Sequence, residues 1–520
     1  MVFIKLSRGL TKLSEVYKKL ENIVKEKFIS NSIYVRHAYS RNVDPVLQGV
    51  PDIVIRPKDA QEIAEILKIA NIENIPVTPR GGGDCEFGGS KPIGDGGIVL
   101  DMKRMNEIIN LDQENLIVTV EAGISWGKLN EYLCHYGLYT GCMGPGSGMT
   151  AAVGGGISHH SVGGGGCAKY GACTNQLVSL EVVLPTGDII ETGSQANKYS
   201  KFPFNRFGNG PDLAGLFCGD NGIFGVKTKV SLQIFPRPQF AAYKTFQLPR
   251  KEREVSAKLM TEIRQKGIDV YDVMYMMDLI VRIGCDQGMF PFWENLKKKR
   301  GIIFYTIEAN SEKELEEKVK QLDEIMLNNK TEELGSEISD GNIAKWHYTE
   351  QGHWQFYHNL WGMSPCMEPL TAESMSPINL YPEILNDIEQ WDMEHNEDMQ
   401  KILNITKSRP IVGSGPIVLV DGNNVEITCG FTSFGSYFDG ENHEFLNEIN
   451  LKLWKSLLER VTKNGVQWYM MGDLMSRLMV DIGAYTPEFY NFMKSIKYIL
   501  DPKSILSRGK FNFWGDSKIE

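Results

Sequence analysis

Two glycine-rich segments, Arg80 to Gly89 (RGGGDCEFGG) and Gly144 to Gly171 (GPGSGMTAAVGGGISHHSVGGGGCAKYG), hold the residues of this chain best suited to grip an anion. Glycine lets main-chain N–H groups converge on a ligand that any Cβ would hold away, and a dinucleotide pyrophosphate is the natural guest of such a surface. Neither segment has the G-x-G-x-x-G spacing of a Rossmann fingerprint with an acidic residue about twenty positions on, and no G-x-x-x-x-G-K-[ST] occurs. Inside the second run stand His159 and His160, two of only nine histidines. A side chain that titrates near neutrality is the preferred partner for a hydroxyl proton, so these two are the first candidates for a general base; hydrogen bonding to backbone or ligand is the plainer role. A second cluster, KWHYTEQGHWQFYHNLWGMSPCMEP, interleaves His347, His353 and His358 with Trp346, Tyr348, Trp354, Phe356, Tyr357 and Trp361. Such an aromatic wall lines an apolar or planar substrate pocket, or packs a core.

The elements around these residues follow a definite order. From Pro51, PDIVIRPKDAQEIAEILKIANIENIPVTPRGGG predicts a strand, a helix with apolar Ile63, Ile66, Leu67 and Ala70 at helical spacing, and a strand ending in the first glycine loop. Then come GGIVLDMKRMNEII, LIVTVEAGISWGKLNEYLCHYGL, the second glycine run, LVSLEVVLPTGDIIETGS and GPDLAGLFCGDNGIFGVKTKVSLQIFPRP. Segment by segment this succession resembles the FAD-binding domain of the vanillyl-alcohol oxidase/p-cresol methylhydroxylase flavoproteins, and within them the glycolate and D-lactate dehydrogenase branch. The resemblance is dense from about residue 34 to 240 and returns in YILDPKSILSRGKF, Tyr498 to Phe511; between 241 and 465 no motif matches.

The resemblance implies an α+β fold: a two-part FAD-binding domain of the p-cresol methylhydroxylase (PCMH) type, with an α+β cap or substrate domain on an antiparallel sheet. The expected organisation is an N-terminal helix and lead-in over 1–48, the FAD-binding domain over 49–240, the cap over 241–465, and a segment returning to the FAD-binding domain over 466–520. FAD is the implied cofactor. Its pyrophosphate would lie on Arg80, Gly81, Gly82, Gly83 and Asp84, with Gly88 and Gly89 closing the turn. The second run would track the cofactor through Pro145, Gly146, Ser147, Thr150, Gly154, Gly155 and Ser158, ending at Tyr170 and Gly171. Ile223, Gly225 and Val226 would follow along the flavin, and Lys510 would touch FAD or the surface. Relatives with doubly linked flavin carry a histidine where Asp84 stands and a cysteine where Gly148 stands, so non-covalent FAD is expected, with Cys85 and Cys142 close by. The metal motif of the 2-hydroxy-acid branch, H-x-G-D-G-N-x-H, has only LVDGNNVEIT as a counterpart, which leaves Asp421 and Asn423 as turn residues and no metal expected. The phenol-binding Tyr-Arg pair of the other branch falls at QWYMMGDLMSRLM, where Met470 follows Tyr469 and Arg477 is the nearest arginine that could meet a carboxylate or phenolate.

Composition bounds the rest. A chain of 520 residues exceeds the roughly 250–300 that one hydrophobic core supports, so two packed units are expected. A net charge of −10 disfavours a nucleic-acid or anionic-membrane surface. The first 28 residues predict an amphipathic helix, and no eighteen apolar residues run together. Nine cysteines without any C-x-x-C fit a cytoplasmic protein and exclude an iron–sulfur motif. The middle region alternates strand-like runs (GIIFYTIEA, GPIVLVDGNNVEITCGFTSF) with helices (EKELEEKVKQLDEIMLNN, ENHEFLNEINLKLWKSLLERVTKNG). The expected activity is oxidation of a small hydroxyl-bearing molecule, a 2-hydroxy acid first, by hydride transfer to the flavin. Electrons would pass to a separate electron-transfer flavoprotein or iron–sulfur subunit, and the protein would form a homo-oligomer. A phenolic or aryl-alcohol oxidoreductase, an alkyl-dihydroxyacetone-phosphate synthase-like enzyme and a non-catalytic electron-relay subunit are the alternatives.

Overall fold

A computed structural model describes residues 2–42, 49–85, 88–208, 210–278, 281, 300–348, 367–407, 409–421, 424–434 and 442–513. The first sheet contains β1 (Ile29–Ser30), β2 (Ile53–Ile55), β3 (Val77–Arg80) and β4 (Ile98–Asp101) in the order β1-β2-β4-β3. Strands β2, β4 and β3 run parallel, a geometry that needs a crossover, and the helix Ala60–Glu73 supplies it between β2 and β3. Asp59 starts this helix by accepting the Glu62 N–H, and Asn74 ends it in the left-handed region at φ 55°. Ile63, Ile66, Leu67 and Ala70 form its buried stripe, as their spacing predicts. The same core takes Val16, Leu20 and Val24, spaced i, i+4 and i+8 along the amphipathic helix Val2–Val24, and Ile505 and Leu506 from the far end of the chain.

The second sheet is antiparallel throughout. It holds β5 (Ile108–Asp112), β6 (Ile117–Glu121), β8 (Leu177–Val183), β9 (Ile189–Glu191) and β10 (Val226–Gln233) in the order β5-β6-β10-β8-β9. Beside it β7 (Leu138–Tyr139) pairs with β11 (Phe235–Pro236).

The third sheet has eight strands: β12 (Phe240–Gln247), β13 (Asp272–Met276), β14 (Ile302–Ala309), β15 (Glu332–Glu333), β16 (Met367–Pro377), β17 (Ile411–Val420), β18 (Asn424–Phe434) and β19 (Gln467–Trp468). Their order is β15-β12-β14-β13-β17-β18-β16-β19, and every neighbouring pair is antiparallel. All eight residues of β14 are buried, because helices such as Glu312–Asn328 cover one face and the rest of the protein the other. The expected antiparallel sheet covered by helices is therefore present, and β19 extends it two residues past 465. Asp421 sits exposed in the turn between β17 and β18, as expected of a turn residue; Asn423 lies outside the described residues. Among the described residues no helix is long and apolar enough to cross a membrane.

Candidate active site

The first glycine loop leaves β3 at Arg80. Rather than reaching outward, the Arg80 guanidinium folds back, donating to Asn42 Oδ1 (3.0 Å) and Ser90 O (3.1 Å) and lying over the Tyr39 ring. Burial lowers its pKa against the opposing pull of Tyr39, Asp101 and Asp84. Gly83, at φ 78°, lies against this guanidinium: a Cβ there would fall 2.3 Å from Arg80 Nη2. At Gly82 a Cβ would fall 2.4 Å from both Asp84 Oδ1 and Thr150 O. Thr150 Oγ1 donates to Asp84 Oδ2 at 3.0 Å, so the two glycine runs, distant in sequence, are tied together. Burial raises the Asp84 pKa while the hydrogen bonds from Ser147 and Thr150 hold it down.

Both runs line one cavity of about 1120 Å³ including its mouth. Its walls carry Arg80 to Asp84, Gly89, Pro145 to Ser147, Gly154, Gly155, Ser158, His159, Gly225 and Val226, together with Lys227. At Gly155 a Cβ would meet nothing within 4 Å, so the missing side chain opens the wall to a guest. Among the described residues, the N–H groups of Gly81, Gly82, Gly83, Gly146 and Ser147 donate to no protein acceptor. A side-chain-free wall with uncommitted donors fits the pyrophosphate of FAD.

Behind this wall lies a clamp of buried lysines. Lys510 Nζ donates to Gly89 O (2.9 Å) and Asn221 O (2.6 Å) beside Asp473, whose Oδ2 accepts the Gly89 N–H at 2.8 Å. Lys497 Nζ donates to Ile223 O (2.7 Å), Leu506 O (3.0 Å) and Asp501 Oδ2 (2.6 Å). Lys227 pairs with Asp220 at 2.6 Å. Lys510 thus holds the first loop from behind and does not border the cavity, while Arg508 reaches Asn74 Oδ1 near the surface.

The sequence candidates for chemistry separate in space. His159 borders the cavity next to Gly89, and its Nδ1 has no hydrogen-bond partner among the described residues. Burial, with Lys510 and Lys227 adding to it, lowers its pKa to about 3, so its imidazole is neutral. His160 turns the other way: its φ of 53° breaks the helix Val153–His159, and its Nδ1 lies 2.9 Å from Thr174 Oγ1 on a separate cavity. Tyr170 and Gly171 also lie off the cavity wall. The Tyr170 hydroxyl is 2.8 Å from that of Tyr139, which donates to Glu308 Oε2 at 2.6 Å. Gly88 and Ile223 sit just behind the lining. Arg477 is buried, with Nε donating to Asn512 Oδ1 at 3.0 Å, and does not reach the cavity. His347 packs against Phe304 inside the protein, where burial lowers its pKa to about 4; His353 and His358 lie outside the described residues.

The structure adds residues that the sequence reading did not single out. Glu373 on β16 and Met470 complete the cavity wall. The register pairs Glu373 with Thr428 and Met375 with Glu426, which places the two glutamates diagonally on one face of the sheet. The Tyr469 hydroxyl contacts both, donating to Glu373 Oε2 at 2.5 Å and touching Glu426. Burial first, then the neighbouring Glu426 charge, pushes the Glu373 pKa well above the usual carboxylate range. In the sequence Glu426 shows only as a polar residue between Val425 and Ile427; the burial of its face depends on cap packing that strand alternation does not reveal.

Comparison with known proteins agrees with this geometry. A family profile described as "FAD binding domain" matches residues 51–193. The glycolate oxidase subunit GlcD of Bacillus subtilis (strain 168) is 36% identical over 204 residues, 39% of this chain and 41% of that protein. The mitochondrial D-lactate dehydrogenase [cytochrome] of Arabidopsis thaliana is 27% identical over 340 residues, 65% of this chain and 55% of that protein. The chain thus spans about half the length of these two relatives. A crystal structure of p-cresol methylhydroxylase with substrate bound superposes with a TM-score of 0.77 at 16% identity, covering 96% of this chain and 97% of that one. An alkyldihydroxyacetonephosphate synthase superposes with a TM-score of 0.69 at 18% identity, covering 95% and 84%. Residues 51–193 thus form an FAD-binding domain, and the chain as a whole has the fold of p-cresol methylhydroxylase.

Proposed function

We propose that this protein is an FAD-dependent oxidoreductase that oxidises a small hydroxyl-bearing molecule, and that Glu373 receives the hydroxyl proton. The observation that carries the reading is a single cavity bordered on one side by both glycine runs and on the other by Glu373. When bound, FAD supplies the hydride acceptor. The glycine wall holds the diphosphate through backbone N–H groups, and Asp84 keeps the two runs in register through Thr150. His159, with a pKa near 3, is too weak a base to compete for a hydroxyl proton and serves as a neutral hydrogen-bonding group. Burial and the Glu426 charge make the ionised Glu373 carboxylate a stronger base than an ordinary one, and in that ionised state it takes the proton of the substrate oxygen.

A 2-hydroxy acid is the substrate class that the relatives' names suggest. The carboxylate pair favours a second reading, an uncharged alcohol or phenol, because a substrate carboxylate beside Glu373 would meet like charge while Arg477 is held by Asn512. Anaerobic titration of the FAD-loaded protein with 2-hydroxy acids, aryl alcohols and alkyl-dihydroxyacetone phosphates separates these classes. Loss of the oxidised flavin absorbance with one class identifies it, and no loss with any would sink the oxidoreductase reading. Transfer of electrons to an electron-transfer flavoprotein or an iron–sulfur subunit belongs to the same proposal. So does non-covalent FAD: Cys142 is buried with its Sγ 3.9 Å from Cys167 Sγ and lies off the cavity wall, which leaves Cys85 as the thiol beside the site. Acid precipitation should release the flavin intact, and colour retained in the pellet would point to Cys85.

A further inference from the structure

Between the 3-10 turns Gly193–Ala196 and Gly215–Phe217 the chain runs without regular structure and displays Tyr199, Phe202, Phe204, Phe207 and Leu213 to solvent. Tyr199 is 79% exposed and Phe204 and Phe207 are each 62% exposed. The backbone beneath them is fixed. Ser194 Oγ accepts the N–H groups of Phe204 (2.9 Å) and Asn205 (3.4 Å), and Arg206 is tied to Asp212 Oδ2 (2.9 Å) and Thr174 O (3.0 Å). The rings are therefore displayed by a loop whose backbone is fixed, and five exposed apolar side chains within fifteen residues mark a candidate interaction site.

Charge selects the partner. From 192 to 211 the sequence has no acidic residue, and its charged residues are Lys198, Lys201 and Arg206. Arg206 is neutralised by Asp212, whereas among the described residues no carboxylate lies within ion-pair distance of Lys198 or Lys201. The net charge of −10 does not cancel this local positive field, since charges much more than about 10 Å away are screened in physiological salt. Aromatic rings beside lysines suit a bilayer surface, where rings settle at headgroup depth and lysines meet anionic headgroups.

We propose that the 197–213 loop docks this protein on an anionic lipid surface. Phe204 and Phe207 also border the separate cavity that reaches Tyr469 on its inner side, so the docked face is the one that opens toward the carboxylate pair.

The test is co-sedimentation of the FAD-loaded protein with vesicles of phosphatidylcholine alone and of phosphatidylcholine mixed with phosphatidylglycerol. The wild type should bind the mixed vesicles and only weakly the neutral ones. F202S/F204S/F207S should weaken binding about tenfold or more, and K198E/K201E should bring binding on mixed vesicles down to the neutral level. Flavin content and unfolding temperature verify that each variant is folded; if the triple serine variant is not, the lysine reversal, which touches only exposed side chains, decides the question. Absence of wild-type binding to mixed vesicles, or binding unchanged by the lysine reversal, overturns the proposal. So does a dimer, seen by light scattering, that the triple variant dissolves while the wild type ignores vesicles.

Discussion

The two walls of the cavity are built on opposite principles. One is backbone: Gly81 to Gly83, Gly146 and Gly155 offer N–H groups and bare surface, and a side chain added at Gly82 would strike Asp84 and Thr150. The other is side chain: Glu373 of β16 borders the cavity, and Glu426 of β18 and Tyr469 after β19 stand behind it in hydrogen-bond contact. Backbone donors do not titrate, so the glycine N–H groups of the first wall present the same partial charge at any pH. The second wall changes charge with pH and can move a proton. On the proposed function, binding and proton transfer fall to different halves of the fold, and substitutions on the two walls should fail in different ways.

The largest expected effect lies on the backbone wall. Gly82→Val should abolish flavin retention while circular dichroism stays near wild type, because the new side chain collides only within the loops. Normal flavin content in that variant would mean that the loop is merely a turn. On the opposite wall, Glu373→Gln should keep its flavin and slow substrate-dependent flavin reduction by roughly 10²–10⁴ in stopped-flow experiments, the usual worth of a positioned base. His159→Asn should slow the same step by about tenfold at most, as expected for loss of a neutral hydrogen bond. If the histidine variant is dead and the glutamine variant is not, the base stands on the glycine side and the comparison is inverted.

The smallest effects concern stability against pH, and their signs are opposite on the two walls. A folded-state pKa raised at Glu373 favours the protonated fold, so its contribution is full below the ordinary carboxylate range and declines as pH rises above it toward the raised folded pKa. Glu373→Gln should therefore gain unfolding temperature relative to wild type as pH rises from 5 to 9. At His159 the folded pKa is depressed to about 3, so its contribution is present above about pH 6.5 and declines as pH falls toward 3. His159→Asn should gain relative to wild type on that acid side. Melting curves of flavin-free protein across this range show whether the two slopes have opposite signs.

Much of this was legible in the residues, and the parts that were not have a common cause. The stripe of Ile63, Ile66, Leu67 and Ala70 fixes a helix because burial follows the 3.6-residue period. The glycine runs mark a backbone-lined site because no other residue leaves such a wall bare. Direction was harder to read. His159 and His160 are adjacent, yet the left-handed turn at His160 sends one ring to the cavity and the other to Thr174. Tyr170 closes the second run in sequence but belongs in space to the Tyr139–Glu308 cluster. The partnership of Glu373 and Glu426 depends on strand register and on a tyrosine from a third segment, information that no local pattern carries. The aromatic stretch around His347 reads equally as pocket or core; Trp346 and His347 are core, while Tyr348 borders a third cavity.

The lysine clamp has a consequence for how the protein is made. Lys510 meets Gly89 across 421 positions of sequence, and residues 505–507 lie beside Val77 at the start of β3. Both glycine runs leave the ribosome long before the side chains that brace them. A nascent chain halted before Lys497 has the complete glycine wall but neither Lys497 nor Lys510 behind it. Cofactor capture should therefore be a late event in biosynthesis, and loss of the last few dozen residues should yield a colourless protein even though almost every residue that borders the cavity is still present.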